Sequence, residues 1–180
     1  MTGSNFPFIE DSILRQNLDE SFDHIVILLS FSESATYNDA AKSSFRKTMI
    51  IYTASIIEAL LFHIVDTELN EKDLAVSSWE FTNKKVLYEV DGAHQVVAGD
   101  FKIKVTEIKK DKLNLQQICD LLKEKNILTE PLLGKIHEIR ELRNSQHIGS
   151  TRKVRAFSRK DLENAFSVAS DVKSFVKAKI

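Results

Sequence analysis

Hydrophobic positions in this chain recur mostly at helical spacing. Between residues 9 and 31, Ile13, Leu14, Leu18, Phe22, Ile25, Val26 and Leu29 recur every three or four residues with acids and amides between them, which predicts an amphipathic helix. A loop follows, and Asn38 or Asp39 is placed to cap a second, longer helix running to about Leu69. The middle of that helix is apolar nearly all round, as expected of the central helix of a bundle or one at a dimer interface.

The period then changes. Lys85-Val-Leu-Tyr-Glu-Val90, the turn dipeptide Asp91-Gly92 and the alternation of Phe101, Ile103 and Val105 with Lys102, Lys104 and Thr106 predict an antiparallel hairpin over about 84–108, its second strand half-buried. A third helix starts near Asn114. A fourth follows Thr129, with Glu130 and Pro131 in its first turn, and runs to about His147, where Gly149 can end it. Ser158 with Asp161 opens a last helix. The expected fold is mainly α: one domain over 1–180, a helical bundle of about five helices with a small inserted antiparallel β-hairpin.

Composition narrows the function classes. Five Gly and two Pro favour long helices. A net charge of −1 supplies no global field toward nucleic acid or anionic membrane, so any such attraction must be local. A single cysteine, Cys119, excludes an internal disulfide and fits a reducing compartment. The N-terminal residues lack a basic flank and an apolar signal core, and Glu58, His63 and Asp66 interrupt the longest apolar stretch. A cytoplasmic protein with no membrane association is expected. No P-loop, dinucleotide loop or nucleophile elbow is present, and one Cys with dispersed His offers no zinc set, so no metal and no cofactor are expected.

The chemistry concentrates in Arg140-Glu-Leu-Arg-Asn-Ser-Gln-His147. On a helical wheel the stripe of Leu132, Ile136 and Ile139 continues into Arg143, with Arg140 and His147 on its shoulder. A guanidinium turned toward a core needs a carboxylate, a partner chain or an anionic ligand. One reading pairs Arg143 with a sheltered carboxylate, for which Glu58 of the long helix is the candidate. Glu58 would then be a structural partner or would tune the site. The other reading is a phosphate site, with arginine as a planar charged fork and histidine as a proton carrier. Arg152, Lys153 and Arg155 form the best local basic patch, either a solvated connection or an RNA-backbone contact.

The run Ile136-His-Glu-Ile-Arg-Glu-Leu-Arg-Asn-Ser-Gln-His-Ile148 resembles the signature helix of HEPN domains (higher eukaryotes and prokaryotes nucleotide-binding). The long helix with Ser55-Ile-Ile-Glu-Ala-Leu-Leu61, the hairpin and Leu115 to Ile127 are similar to a group of bacterial HEPN-like proteins, so the likeness spans roughly 40–150. The family pattern is Arg, often followed by Asn or another polar residue, then His after four to six residues. Three residues lie between Arg143, which Asn144 follows, and His147, one short of that window, whereas six lie between Arg140 and His147, but Arg140 lacks the Asn. Either Arg140 takes the arginine role, or the site is compressed, or activity is lost.

The resemblance implies an all-α fold and a metal-independent endoribonuclease of toxin or defence type. It also implies a homodimer that pairs two motifs, an RNA substrate and an antitoxin partner. His147 would act as acid or base, Arg143 or Arg140 would stabilise phosphoryl charge, and Asn144 would orient the substrate or backbone. The alternative is a non-catalytic dimeric helical module that binds a nucleotide or a partner protein.

Overall fold

The computed structural model describes residues 3–107, 109–145 and 156–180. Among them the fold is mainly α, with five helices and one two-stranded antiparallel hairpin. The helices are α1 (Ser12–Glu33), α2 (Asp39–Glu68), α3 (Leu115–Glu124), α4 (Glu130–Asn144) and α5 (Arg159–Lys179). The strands are β1 (Ala75–Asp91) and β2 (His94–Glu107), with short 3-10 turns at Glu71–Leu74 and Lys110–Lys112. The chain forms two compact units, Met1–Glu68 with Asn114–Ile180 and, separately, Leu69–Leu113.

Helix starts follow side-chain capping. Asp11 accepts from the amides of Ile13 and Leu14, and Asn38 accepts from Ala41. Asn114 with Gln117 and Ser158 with Asp161 form reciprocal capping boxes that satisfy donors otherwise left open at a helix start.

α2 is the centre of the helical unit and packs against the other four helices. Its fully buried residues include Met49, Ile50, Ile57, Leu60, Leu61 and Ile64, each contributing about 1.5–3 kcal/mol on burial. By length and composition α2 is apolar enough to cross a membrane, and more than half of its most apolar window is buried inside the protein. Ile136 and Ile139 of α4, Ile118 and Leu122 of α3, and Leu162, Val168 and Val172 of α5 complete the core.

Three sequence expectations are corrected in detail. The apolar stripe of α1 is only partly covered: Leu18 and Ile25 are buried, but Ile13 and Val26 are exposed. The hairpin begins earlier than expected, at Ala75. Its first strand hides its period behind a bulge, since Thr82 pairs Asp100 and Lys85 pairs Ala98, which leaves Asn83 and Lys84 opposite Gly99. Asn83 takes a left-handed backbone (φ 53°), and its side-chain amide donates to Asp100 Oδ2 at 2.7 Å. The second strand is not half-buried. Phe101, Ile103 and Val105 do share a face, with Phe101 opposite Phe81 and Ile103 opposite Trp79, but all three are exposed.

Candidate functional site

Buried Leu133, Ile136, Ile139 and Leu142 seat α4 in the core. The stripe is therefore anchored on Leu133 instead of Leu132, and Leu142 holds its last position. Arg140 and Arg143 fall within the arc these residues sweep, and both are half-buried, with side chains 25% and 26% exposed.

Arg143 meets the carboxylate that the sequence offers it. Its Nη1 donates to Glu58 Oε2 at 2.6 Å, linking α4 to the middle of α2. The distance is that of a short charge-assisted hydrogen bond, and Glu58 is sheltered to a similar degree, 28% exposed. Glu58 is held there because its neighbour Ile57 is fully buried, which fixes the rotation of α2.

Arg140 is bound more weakly. Its Nη2 donates to Glu141 Oε1 at 2.9 Å, but Glu141 is adjacent in sequence and its side chain is 68% exposed. Pairs of that kind are worth little in water. Meanwhile Arg140 Nε is buried with no hydrogen-bond partner among the described residues. A guanidinium with an unmet buried donor and a solvated ion pair is the arginine of this helix with donor capacity to spare.

Cys119 of α3 belongs to the same neighbourhood. Burial pushes its thiol up to about 12. The Asp120 carboxylate adds to the rise, Arg140 opposes it and Glu58 adds a little more. The thiol is therefore protonated at neutral pH and is no nucleophile. Glu58, Arg140 and Arg143 thus share one region where α2, α3 and α4 meet.

Asn144 is the last residue of α4 and is half-buried. Ser145 follows as its C-cap and donates its hydroxyl to the Leu142 carbonyl at 2.8 Å. His147, Gly149, Arg152, Lys153 and Arg155 lie outside the described residues, as does Ile108. Among the described residues no group of three or more His, Cys, Asp or Glu is placed to hold a metal ion.

Two features escape a reading of the sequence. Arg46, in the second turn of α2, also has a buried Nε without a partner among the described residues. One turn before it, Ser43 Oγ accepts from the Phe157 amide at 2.9 Å, bringing the chain that precedes α5 to the start of α2. Nothing in the local pattern around Arg46 marks it, because the unmet donor arises from tertiary packing. His137, although flanked by Glu138 in a polar stretch, is half-buried with its Nδ1 enclosed and without a partner among the described residues.

No protein-family model matches this chain, and no curated protein or solved structure matches it either.

Proposed function

We propose that this chain is a HEPN-like helical domain acting as a metal-independent endoribonuclease, with Arg140 as the phosphate-binding arginine and His147 as the proton-transfer group. The observation that carries this assignment is the Arg143–Glu58 ion pair. It occupies Arg143 structurally and leaves Arg140, whose Nη2 is held only by the solvated carboxylate of adjacent Glu141, to exchange that partner for an anion. The interval of six residues from Arg140 to His147 fits the family spacing that Arg143 misses.

In this reading the 2′-hydroxyl of RNA attacks the adjacent phosphorus and the bond to the 5′-oxygen breaks. His147 takes the hydroxyl proton or supplies one to the leaving oxygen, and Arg140 stabilises the charge that gathers on the phosphoryl oxygens. The products are a 2′,3′-cyclic phosphate and a 5′-hydroxyl end. Asn144 orients the helix end or the substrate, and Arg152, Lys153 and Arg155 contact the RNA backbone. A homodimer would set two such motifs together, with exposed Ile13, Ile27 and Ile51 available to be covered by a second copy.

The test is cleavage of a defined RNA by the purified protein in the presence of a chelator, with His147→Ala as control and product ends identified by mass. Cyclic phosphate ends that vanish in the control support the reading. The same ion pair favours a second reading, a non-catalytic module in which the cationic helix end is neutralised for packing. Intact RNA with both proteins, each folded and dimeric, selects it.

A further inference from the structure

The helical unit holds a cavity of about 390 Å³ between α1, α2 and α5, with no residue of α4 in its lining. That volume lies within the range of small-molecule sites, about 300–1,000 Å³. The α1 wall runs from Phe22 to Leu29 and the α5 wall from Phe166 to Lys173, each with its lining residues at i, i+3, i+4 and i+7. At about 1.5 Å per residue, each wall is roughly 10 Å long. Arg159 at the start of α5 meets Glu33 at the end of α1 at 3.4 Å, so the two helices run antiparallel. The Phe22 end therefore faces the Lys173 end, and Leu29 lies toward Phe166.

The two ends differ in chemistry. At one, the Lys173 ammonium stands 5.0 Å over the ring of Phe6, which packs edge-on against Phe22. Lys173 is half-buried and forms no ion pair among the described residues, and the neighbouring Asp171 is already taken by Lys135 at 2.7 Å. A sheltered cation without an anion is unfavourable. Elsewhere the lining is almost wholly apolar, and the hydroxyl of Thr53 already donates to the Met49 carbonyl at 2.8 Å. The slot thus asks for one anionic head and an unfunctionalised chain.

We propose that this slot binds a medium-chain aliphatic carboxylate, its head on Lys173 and its chain running past Ile56 toward Leu29 and Phe166. The proposal is independent of the nuclease reading.

The test is calorimetric titration of the full chain with decanoate below its micelle-forming concentration, with decylamine and 1-decanol as comparison ligands. Decanoate should bind saturably, one per chain, and about tenfold or more tighter than either comparison ligand. Lys173→Met should erase that preference while leaving 1-decanol unchanged, and Ala169→Trp, which fills the slot, should abolish binding of all three. Should Ala169→Trp fail to fold, nuclear Overhauser contacts from decanoate chain protons to the Ile25 and Ile56 methyls of the wild type replace it. Absence of saturable binding, equal affinity for decanoate and 1-decanol, or contacts confined to other residues would each overturn the proposal. So would a wild-type dimer that Val26→Asp converts to monomers, since a second copy would then cover the slot.

Discussion

Arg143 Nη1 and Glu58 Oε2 stand 2.6 Å apart and join two helices whose sequence positions differ by 85. Both side chains are about one quarter exposed, so the pair sits between the solvated limit, worth up to about 1 kcal/mol, and the buried limit, where losing one partner costs about 3–5 kcal/mol. A double-mutant cycle of Arg143→Met and Glu58→Gln, read by urea unfolding, should give a coupling of about 1–2 kcal/mol. A coupling near zero would mean that the pair does not fix α4 to α2.

That pairing separates the two arginines in function. If Arg140 binds the scissile phosphate, Arg140→Lys should lower cleavage by about 10²-fold or more, because a point ammonium does not reproduce the planar fork. Arg143→Lys should lower stability first and leave the residual rate of the folded fraction within a few-fold of wild type. Rates normalised to folded protein by circular dichroism decide between them, and the reverse order would return the phosphate role to Arg143. His147→Ala should remove about 10²–10⁴ in rate.

Cys119 gives a pH signature. Its folded pKa, about 12, is raised from an ordinary 9.0, so the native state holds the proton more tightly than the unfolded chain does. The stability this contributes is fully present below pH 9 and is lost as pH rises from there toward 12. Cys119→Ala or Cys119→Ser should flatten that part of the stability curve. At pH 8 the native thiol should react with a disulfide reagent far more slowly than the same thiol in denaturant, and equal rates would contradict its burial.

How far the sequence could be read follows from the range of the interactions involved. The caps at Asn38 and Ser158, the helix start near Asn114 and the all-round apolar α2 are local signals, and each appears where the pattern puts it. The candidate Glu58–Arg143 pair was legible because an inward arginine and a carboxylate in a core helix are both costly alone. The unmet donors of Arg46 and Arg140 were not, since they depend on which neighbours enclose one nitrogen. Nor was the exposure of Phe101, Ile103 and Val105. Alternation shows that two faces differ but says nothing of whether the apolar one is covered.

The bulge in the hairpin yields the sharpest steric expectation. Gly99 faces the two extra residues of β1, and a Cβ built on it would lie 2.6 Å from Phe81 Cε2 and Cζ and 2.7 Å from the Thr82 carbonyl oxygen. The Phe81 ring is itself fixed against Phe101, with centroids 4.9 Å apart, so it cannot turn away without breaking that pair. The carbonyl oxygen belongs to the backbone beside the Asn83 bulge and is less able still to give way. Gly99→Ala should therefore cost about 1–3 kcal/mol, the usual penalty of forced overpacking, and Gly99→Val more. The loss should be read in the hairpin, where amide exchange between Thr82 and Asp100 should quicken while that of α2 stays as in the wild type. Gly92, whose added Cβ would meet nothing within 4 Å, is the control, and Gly92→Ala should leave exchange at the bulge unchanged. If Gly99→Ala protects these amides as well as glycine does, the close approach of Phe81 to this strand is wrong.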